Sequence, residues 1–290
     1  MSTDCDVPRF GLYLPQIGLS FRQVREIASA AESMGFRHLW FCDHLEIPGC
    51  PSVLEGWTIA AAIAAHTSDI RIGHLVLCAG FRHPALLGKM AATFDQISEG
   101  RLDLGLGWGG SPMEMRDYGL AVESGALRRA KLAETIAIIR LMLVGGAVDF
   151  EGEHYVIHAA PTGPCAVQSP VPVFVGGAGA TTMGLVRDHA DWWNCPSYGR
   201  DDLSRLISLK GTARVSVNYS IAFDETSPTS VRRLGDRCAP ILSGTPAAIG
   251  EILAADQQLG VELFNIQFVC LADIISQMTT FMKHVAPSVK

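Results

Sequence analysis

RHPALLGKMAATFDQISEGRLDLGLG, residues 82–107, is the stretch from which the rest of the chain can be read. Pro84 starts a helix, since proline tolerates the first turn, where its missing N–H is not needed. Leu87, Met90, Ala91, Phe94 and Ile97 then recur at helical spacing, and Arg101 to Leu106 follows as a strand. The same alternation runs outward on both sides. Before it lie strands at Phe10 to Leu14, His38 to Cys42 and Ile70 to Leu77. Between them are helices at Phe21 to Met34 and Glu55 to His66; the first carries Val24, Ile27, Ala28 and Ala31 on one face, and Gly35 stops it.

After it, Leu127 to Val144 reads as a long helix ended by Gly145-Gly146, and Val148 to Ile157 as a small hairpin. Strands follow at Val171 to Val175, Trp192 to Cys195, Ala213 to Phe223 and Leu263 to Phe268. Helices alternate with them at Thr181 to His189, Asp202 to Leu209, Pro246 to Leu259 and Asp273 to Val285. Repeated βα units favour a parallel sheet covered by helices. Eight of them favour closure into an α/β (β/α)8 TIM barrel over an open doubly wound sheet. The 290 residues suit one such barrel, for which about 250 is typical. No Gly/Ser/Pro linker divides the chain, so a single domain over residues 1–290 is expected, with Pro161 to Pro172 as a long internal connection.

Composition narrows the function. Hydrophobic residues make up 48% and charged residues 18%, which supplies a large core and argues against disorder. A net charge of −6 without a basic stripe argues against nucleic-acid or anionic-membrane partners. No apolar run approaches the roughly 18 residues of a membrane span; the longest is Trp57 to Ala65. Met1 to Arg9 carries no basic segment followed by an apolar stretch, so a cytoplasmic enzyme is expected. The eight cysteines, at 5, 42, 50, 78, 165, 195, 238 and 270, form no C-x-x-C pair and read as reduced thiols, with no metal site.

Five segments, taken in order, resemble the bacterial-luciferase-like monooxygenase family. They are Phe10 to Gln16; Gly35 to His44; Arg82 to Gly107; Phe150 to Tyr155 followed by Pro172 to Gly179; and Gly244-Thr245-Pro246 leading toward Gly260-Val261. The resemblance spans residues 9 to 285. It implies a barrel with an insertion after the fourth strand and redox chemistry with a flavin or deazaflavin at the carboxyl-terminal mouth. The Asp43-His44 loop is similar to that of the members using coenzyme F420, so F420 is the expected cofactor and FMN the alternative.

Gly176-Gly177-Ala178-Gly179 lies between a strand and a helix. It is either a phosphate cradle, with backbone N–H groups and a helix N-terminus facing the anion, or a tight turn needing glycine for geometry alone. The resemblance places the cofactor phosphate there, with Thr181 and Thr182 as further donors. No G-x-G-x-x-G follows the first strand, so this is no dinucleotide fingerprint. Asp43 and His44 end the second strand, on the face where barrel active sites gather. His44 is the candidate catalytic acid or base and a candidate ring contact; otherwise it caps a loop or bonds Asp43. In several members of the family a non-proline cis peptide at Leu75-Val76 bulges behind the ring; the other reading is ordinary core strand.

Trp108, in Gly107-Trp108-Gly109-Gly110, offers a flat wall to a ring or substrate. Some deazaflavin relatives that oxidise sugar phosphates carry a catalytic glutamate in this turn, where this chain has Gly110, a departure that argues against that substrate class. Glu114, four residues later, either faces the mouth or is a solvent-exposed helix-start carboxylate, and the second is the expected reading. Arg128, Arg129 and Lys131 read as a solvated face or as contacts to an anionic cofactor tail. Arg82 is a candidate anion ligand, His83 opens a helix, and His74 is a core histidine with satisfied nitrogens. Trp57 lines the pocket or packs on the barrel, and one ring of Trp192-Trp193 belongs to the core.

The function expected is hydride transfer between a small organic substrate and a deazaflavin. The alternatives are an FMN-dependent monooxygenase using oxygen and a non-catalytic flavin-binding or partner subunit. A homodimer is expected through helices beside the second and third strands, where the Ile59 to Ala65 helix suits close approach or else packs on the barrel.

Overall fold

The computed structural model describes residues 9–50, 52–223, 232–234 and 237–289. The segment read for export signals, Cys5, the side chain of Cys238 and most of 224–237 lie outside the described residues. Among the described residues, eight parallel strands form a closed ring. They are β1 Arg9–Tyr13, β2 His38–Phe41, β3 Arg71–His74, β4 Leu102–Gly107, β5 Val173–Gly176, β6 Trp192–Cys195, β7 Arg214–Phe223 and β8 Leu263–Phe268. Each pairs with the next in sequence. β8 pairs back onto β1, Arg9 opposite Leu263 through Leu12 opposite Ile266. Each strand is followed by the helix of the same number: α1 Phe21–Ser33, α2 Gly56–Ala64, α3 Pro84–Ile97, α4 Gly125–Val144, α5 Ala180–His189, α6 Leu203–Ile207, α7 Pro246–Gln258 and α8 Ile274–His284. This is the expected (β/α)8 barrel.

Local chemistry sets the boundaries. Ser20 and Gln23 form a reciprocal capping box that starts α1, and its buried stripe is Val24, Ile27, Ala28 and Ala31. Glu55 caps α2 through the N–H groups of Trp57 and Thr58, one residue inside the expected start. That helix also stops early, because Arg101 reaches back and donates to the carbonyls of Ala64, Thr67 and Ile70. Asp95, fully buried, accepts from the N–H groups of Val167 and Gln168 and from the Gln168 amide. Two residues of the stretch 82–107 thus tie helices and connections to the barrel.

Inward positions alternate with outward ones along each strand. Gly11, Gly73, Gly105 and Gly107 leave the interior of β1, β3 and β4 bare. Trp40, Phe174 and Trp192 fill it from β2, β5 and β6, with Trp40 4.9 Å from Phe174 and Phe174 stacked 5.2 Å from Trp192. A Cβ on Gly73 would stand 2.7 Å from the Trp40 ring, so the aromatic on one strand needs the glycine on the next. At the amino-terminal end Asp103 lies between His38 and Arg71, 2.7 and 2.6 Å away. Trp193 points outward into the helical layer and donates to the Gly177 carbonyl at 2.7 Å.

The insertion after β4 holds a short helix Pro112–Asp117, then α4, then an antiparallel hairpin of Ala147–Glu151 and Val156–Pro161. The expected continuous strand from Ile70 to Leu77 is instead broken: β3 stops at His74, and Leu77–Cys78 pairs again with β4 after an interruption at Leu75 and Val76.

Candidate active site at the barrel mouth

The interruption in β3 lies at the carboxyl-terminal end of the barrel, and the Leu75–Val76 peptide is cis. Leu75 is buried and packs with Trp40, Phe174 and Trp192. Val76 fits over the ends of two neighbouring strands. A Cβ on Gly107 would lie 2.5 Å from one Val76 methyl, and one on Gly176 2.8 Å from the other. Side chains at either position would push Val76 out of the floor of the mouth.

His44 follows β2 at the rim, and its side chain keeps 40% of its surface exposed. Its Nδ1 lies 3.2 Å from Glu114 Oε2. Glu114 is not the exposed helix-start carboxylate the sequence suggests: it is 2% exposed. Its Oε1 accepts the N–H groups of Leu45 at 2.5 Å and Glu46 at 3.3 Å. Those donors, brought across the mouth from the β2 loop, account for its burial. Tyr118 adds a second tie, its hydroxyl donating to the Leu45 carbonyl. The hydrogen bond to Glu114 raises the His44 pKa above the usual imidazole value, against the opposing effect of burial. Burial pushes the Glu114 carboxyl up, but the bonds from His44, Leu45 and Glu46 outweigh it and hold it low. With Nδ1 facing a carboxylate, that nitrogen keeps its proton and Nε2 makes no hydrogen bond among the described residues.

Asp43 has no oxygen free for a ligand. Oδ2 accepts from the Cys78 N–H and from Arg82, and Oδ1 accepts from Arg82 again. Arg82 also binds Glu55 at 2.8 Å, so this guanidinium is occupied within the protein and does not serve as an anion ligand. Asp43 therefore ties the end of β2 to the segment after β3. His83 stands at the start of α3, as expected, without a side-chain capping bond. His74 is fully buried and stacks flat on Trp57 at 5.6 Å. It is the expected core histidine: burial lowers its pKa, against the smaller opposing effects of the Asp43 charge and a backbone hydrogen bond at Gly56. Trp57 packs on the barrel through His74 and Phe94.

The glycine turn follows β5. Gly177 has φ +138°, and a Cβ there would meet Thr182 at 2.8 Å. A Cβ on Gly179 would meet only the Thr182 hydroxyl, at 3.9 Å, so the backbone is bare on that side. Gly179 caps α5 without any side-chain hydrogen bond. The first N–H groups of α5 are therefore left for another acceptor, and an anion fits there. Thr181 is exposed beside the turn, whereas Thr182 is buried and accepts from Trp108 Nε1 at 3.3 Å. Trp108 is not a bare wall. The guanidinium groups of Arg128 and Arg129 stack on it at 4.9 and 5.3 Å. Both arginines are half-buried, so they are not the solvated face expected of a charged helix start.

The sequence reading missed a polar arc inside the barrel. Asn194 on β6 accepts from Ser216 on β7 at 3.0 Å and from Asn265 on β8 at 3.2 Å. β6 and β8 are not neighbours, so these side chains meet in the interior. Ser220 lies against Gln267 further toward the mouth, and the side-chain oxygens of Asn218 and Asn265 are buried without partners. The signal was present as polar residues at every second position, Ser216-Asn218-Ser220 and Asn265-Gln267. Among the described residues, no group of three His, Cys, Asp or Glu could hold a metal ion, and no helix is long and apolar enough to cross a membrane. Cys42, Cys50, Cys78, Cys165, Cys195 and Cys270 are free thiols.

Comparison with known proteins places this geometry in a family. The family model described as luciferase-like monooxygenase matches residues 6–208, more than half of the chain. Among solved structures, an F420-dependent secondary alcohol dehydrogenase superposes with a TM-score of 0.84 at 16% identity, covering 98% of this chain and 99% of that one. The coenzyme F420-dependent tetrahydromethanopterin reductase of Methanopyrus kandleri gives 0.83 at 17% identity, covering 98% and 100%. The FMN-bound oxygenating constituent of 3,6-diketocamphane monooxygenase from Pseudomonas putida gives 0.73 at 17%, covering 98% and 99%. At these identities the shared property is the fold.

Proposed function

We propose that this chain, which belongs to the luciferase-like monooxygenase family, is an oxidoreductase that uses a deazaflavin, coenzyme F420, to move hydride to or from a small organic substrate. The observation that carries this reading is the His44–Glu114 pair, an imidazole held at the rim by a buried carboxylate with its second nitrogen open. A deazaflavin supplies a hydride donor or acceptor. What the reaction still needs from the protein is a proton donor or acceptor and a fixed geometry.

His44 holds or takes that proton at Nε2. Glu114 keeps Nδ1 protonated and the ring in place. Ala178, Gly179 and the first turn of α5 bind the cofactor phosphate, with Gly176 and Gly177 shaping the turn and Thr181 beside it. Leu75 and Val76 would support the ring, and Trp108 would wall the mouth. The aromatic sector of Trp40, Phe174 and Trp192 excludes water, while Asn218 and the β7–β8 arc orient the substrate. Asp43 acts through Arg82 and the segment after β3. In this reading the enzyme works in the cytoplasm as a homodimer joined at α2 and α3, where Trp57, Ala61, Met90, Phe94 and Ile97 line an apolar groove.

An FMN-dependent monooxygenase is the competing reading. The same apolar sector favours it, because reaction of a reduced flavin with oxygen demands exclusion of water. Anaerobic titration of the apo-protein with F420 and with FMN, followed by tryptophan quenching, separates the two. Tight F420 binding with weak FMN binding is expected, the reverse would establish the monooxygenase reading, and binding of neither would leave a non-catalytic subunit.

A further inference from the structure

Two positive charges at the mouth have no negative partner. Arg128 and Arg129 stack on the one indole of Trp108, and the Nε of each is buried without a hydrogen-bond partner. Among the described residues, neither forms an ion pair with a carboxylate. Arg128 donates once, to the Gly110 carbonyl at 3.1 Å. The carboxylates nearest in the chain are engaged elsewhere: Glu123 with Lys131 and Glu134 with the backbone N–H groups of Glu153, His154 and Tyr155. Two like charges half-withdrawn from water beside one ring are costly unless an anion joins them. The indole that carries them also donates to Thr182, beside the glycine turn.

We propose that Arg128 and Arg129, on Trp108, form a second anion subsite next to the glycine turn, which takes the carboxylates of the deazaflavin's oligoglutamyl tail. The proposal rests on the deazaflavin reading above. FMN ends at its phosphate and offers nothing to such a subsite. A ligand whose anionic chain continues past the phosphate would reach the arginines through this neighbourhood, since the indole that carries them is bonded to Thr182 beside the turn. The planar guanidinium suits a carboxylate while keeping its stack on the ring. The subsite thereby discriminates between the two cofactors by a part of the ligand remote from the reacting ring.

The test measures dissociation constants of the apo-protein for FMN and for F420 carrying a short or a long glutamyl tail. These are measured on wild type, Arg129→Met and Arg129→Lys, across a series of salt concentrations. Arg129 is chosen because it makes no backbone bond that could confound folding, and a thermal melt of each variant checks that. Wild type is expected to bind the long-tailed form about tenfold more tightly than the short-tailed one at low salt, with the difference fading as salt rises. Arg129→Met is expected to abolish most of that difference, Arg129→Lys to retain part of it, and FMN affinity to change in neither. Affinity independent of tail length would overturn the subsite while leaving the cofactor reading intact. Equal weakening of FMN and both F420 forms in Arg129→Met would show that the arginine serves the phosphate instead. Failure to bind either cofactor would overturn both conclusions.

Discussion

Replacing Glu114 by glutamine tests whether this buried carboxylate governs His44. The amide keeps an oxygen for Leu45 and Glu46 but removes the charge from three contacts of 2.5, 3.3 and 3.2 Å. Hydrogen bonds to charged groups contribute about 1.5–3 kcal/mol against about 0.5–1.5 for neutral ones. Two of the three contacts are long and His44 is partly exposed, so the net loss should be about 2 kcal/mol. The loss should also depend on pH. His44 has a raised pKa, so its share is present below the usual value near 6.5 and is lost as pH rises through the raised one. Glu114 is lowered, so its share is present above the usual value near 4.5 and is lost as pH falls through the lowered one. Both contribute together between those two ordinary values, and the gap between wild type and variant should be widest there. Urea unfolding across pH measures the gap, and NMR of the His44 ring measures its titration midpoint. The midpoint should fall in Glu114→Gln. A midpoint that stays at the wild-type value would refute the assignment, whatever happens to stability.

Other expectations concern the residues around this pair. His44→Asn should lower turnover by about 10²–10⁴-fold, the range for loss of a general acid or base. Adding Glu114→Gln to it should then cost little further turnover, as a double-mutant cycle would read. Asp43→Asn strips a buried guanidinium of its bidentate partner and should destabilise by about 3 kcal/mol in denaturant unfolding. Gly177→Ala places a Cβ 2.8 Å from Thr182 at φ +138°, at a cost of about 1–3 kcal/mol, and should weaken cofactor binding measured by fluorescence quenching. Gly107→Ala drives Val76 into the mouth and should weaken cofactor binding while leaving the helices, read by circular dichroism, unchanged.

The parts of the molecule visible in its sequence are those fixed by short-range pattern. Trp192–Cys195 and Leu263–Phe268 are buried on both faces, and a short, mainly apolar run marked their ends even though Asn194, Asn265 and Gln267 stand within them. The break in β3 gave no such signal. Leu75 and Val76 sit in an unbroken apolar run, and the room that admits Val76 comes from Gly107 and Gly176, on other strands. Glu114 was misread for a similar reason. Ser111-Pro112-Met113-Glu114 has the spacing of a capping box, which would keep the glutamate at the surface beside its own cap. Ser111 does cap, but through Met113, while the carboxylate turns to donors about 70 positions away. Arg128 and Arg129 likewise read as a charged helix face until Trp108, on another element, is brought against them.

The placement of that carboxylate bears on mechanism. A Cβ on Gly110 would stand 2.8 Å from Glu114 Oε2 and 3.9 Å from His44 Cε1. A glutamate in the turn and the present Glu114 would thus compete for the same space, and this chain delivers its carboxylate from the short helix. The difference is more than relocation. A side chain at 110 would start from beside the imidazole at the mouth, whereas Glu114 is 2% exposed and spends its oxygens on Nδ1 and two backbone N–H groups. In the proposed site Glu114 is therefore a positioning residue, and of this pair only the imidazole, 40% exposed, is open to a substrate. In the proposed reaction, proton transfer would then pass through Nε2 alone, and the protonation state of the site would follow one group whose pKa the hidden carboxylate raises. On that proposal, the site suits substrates that need one proton donor or acceptor rather than a second charged group from this turn.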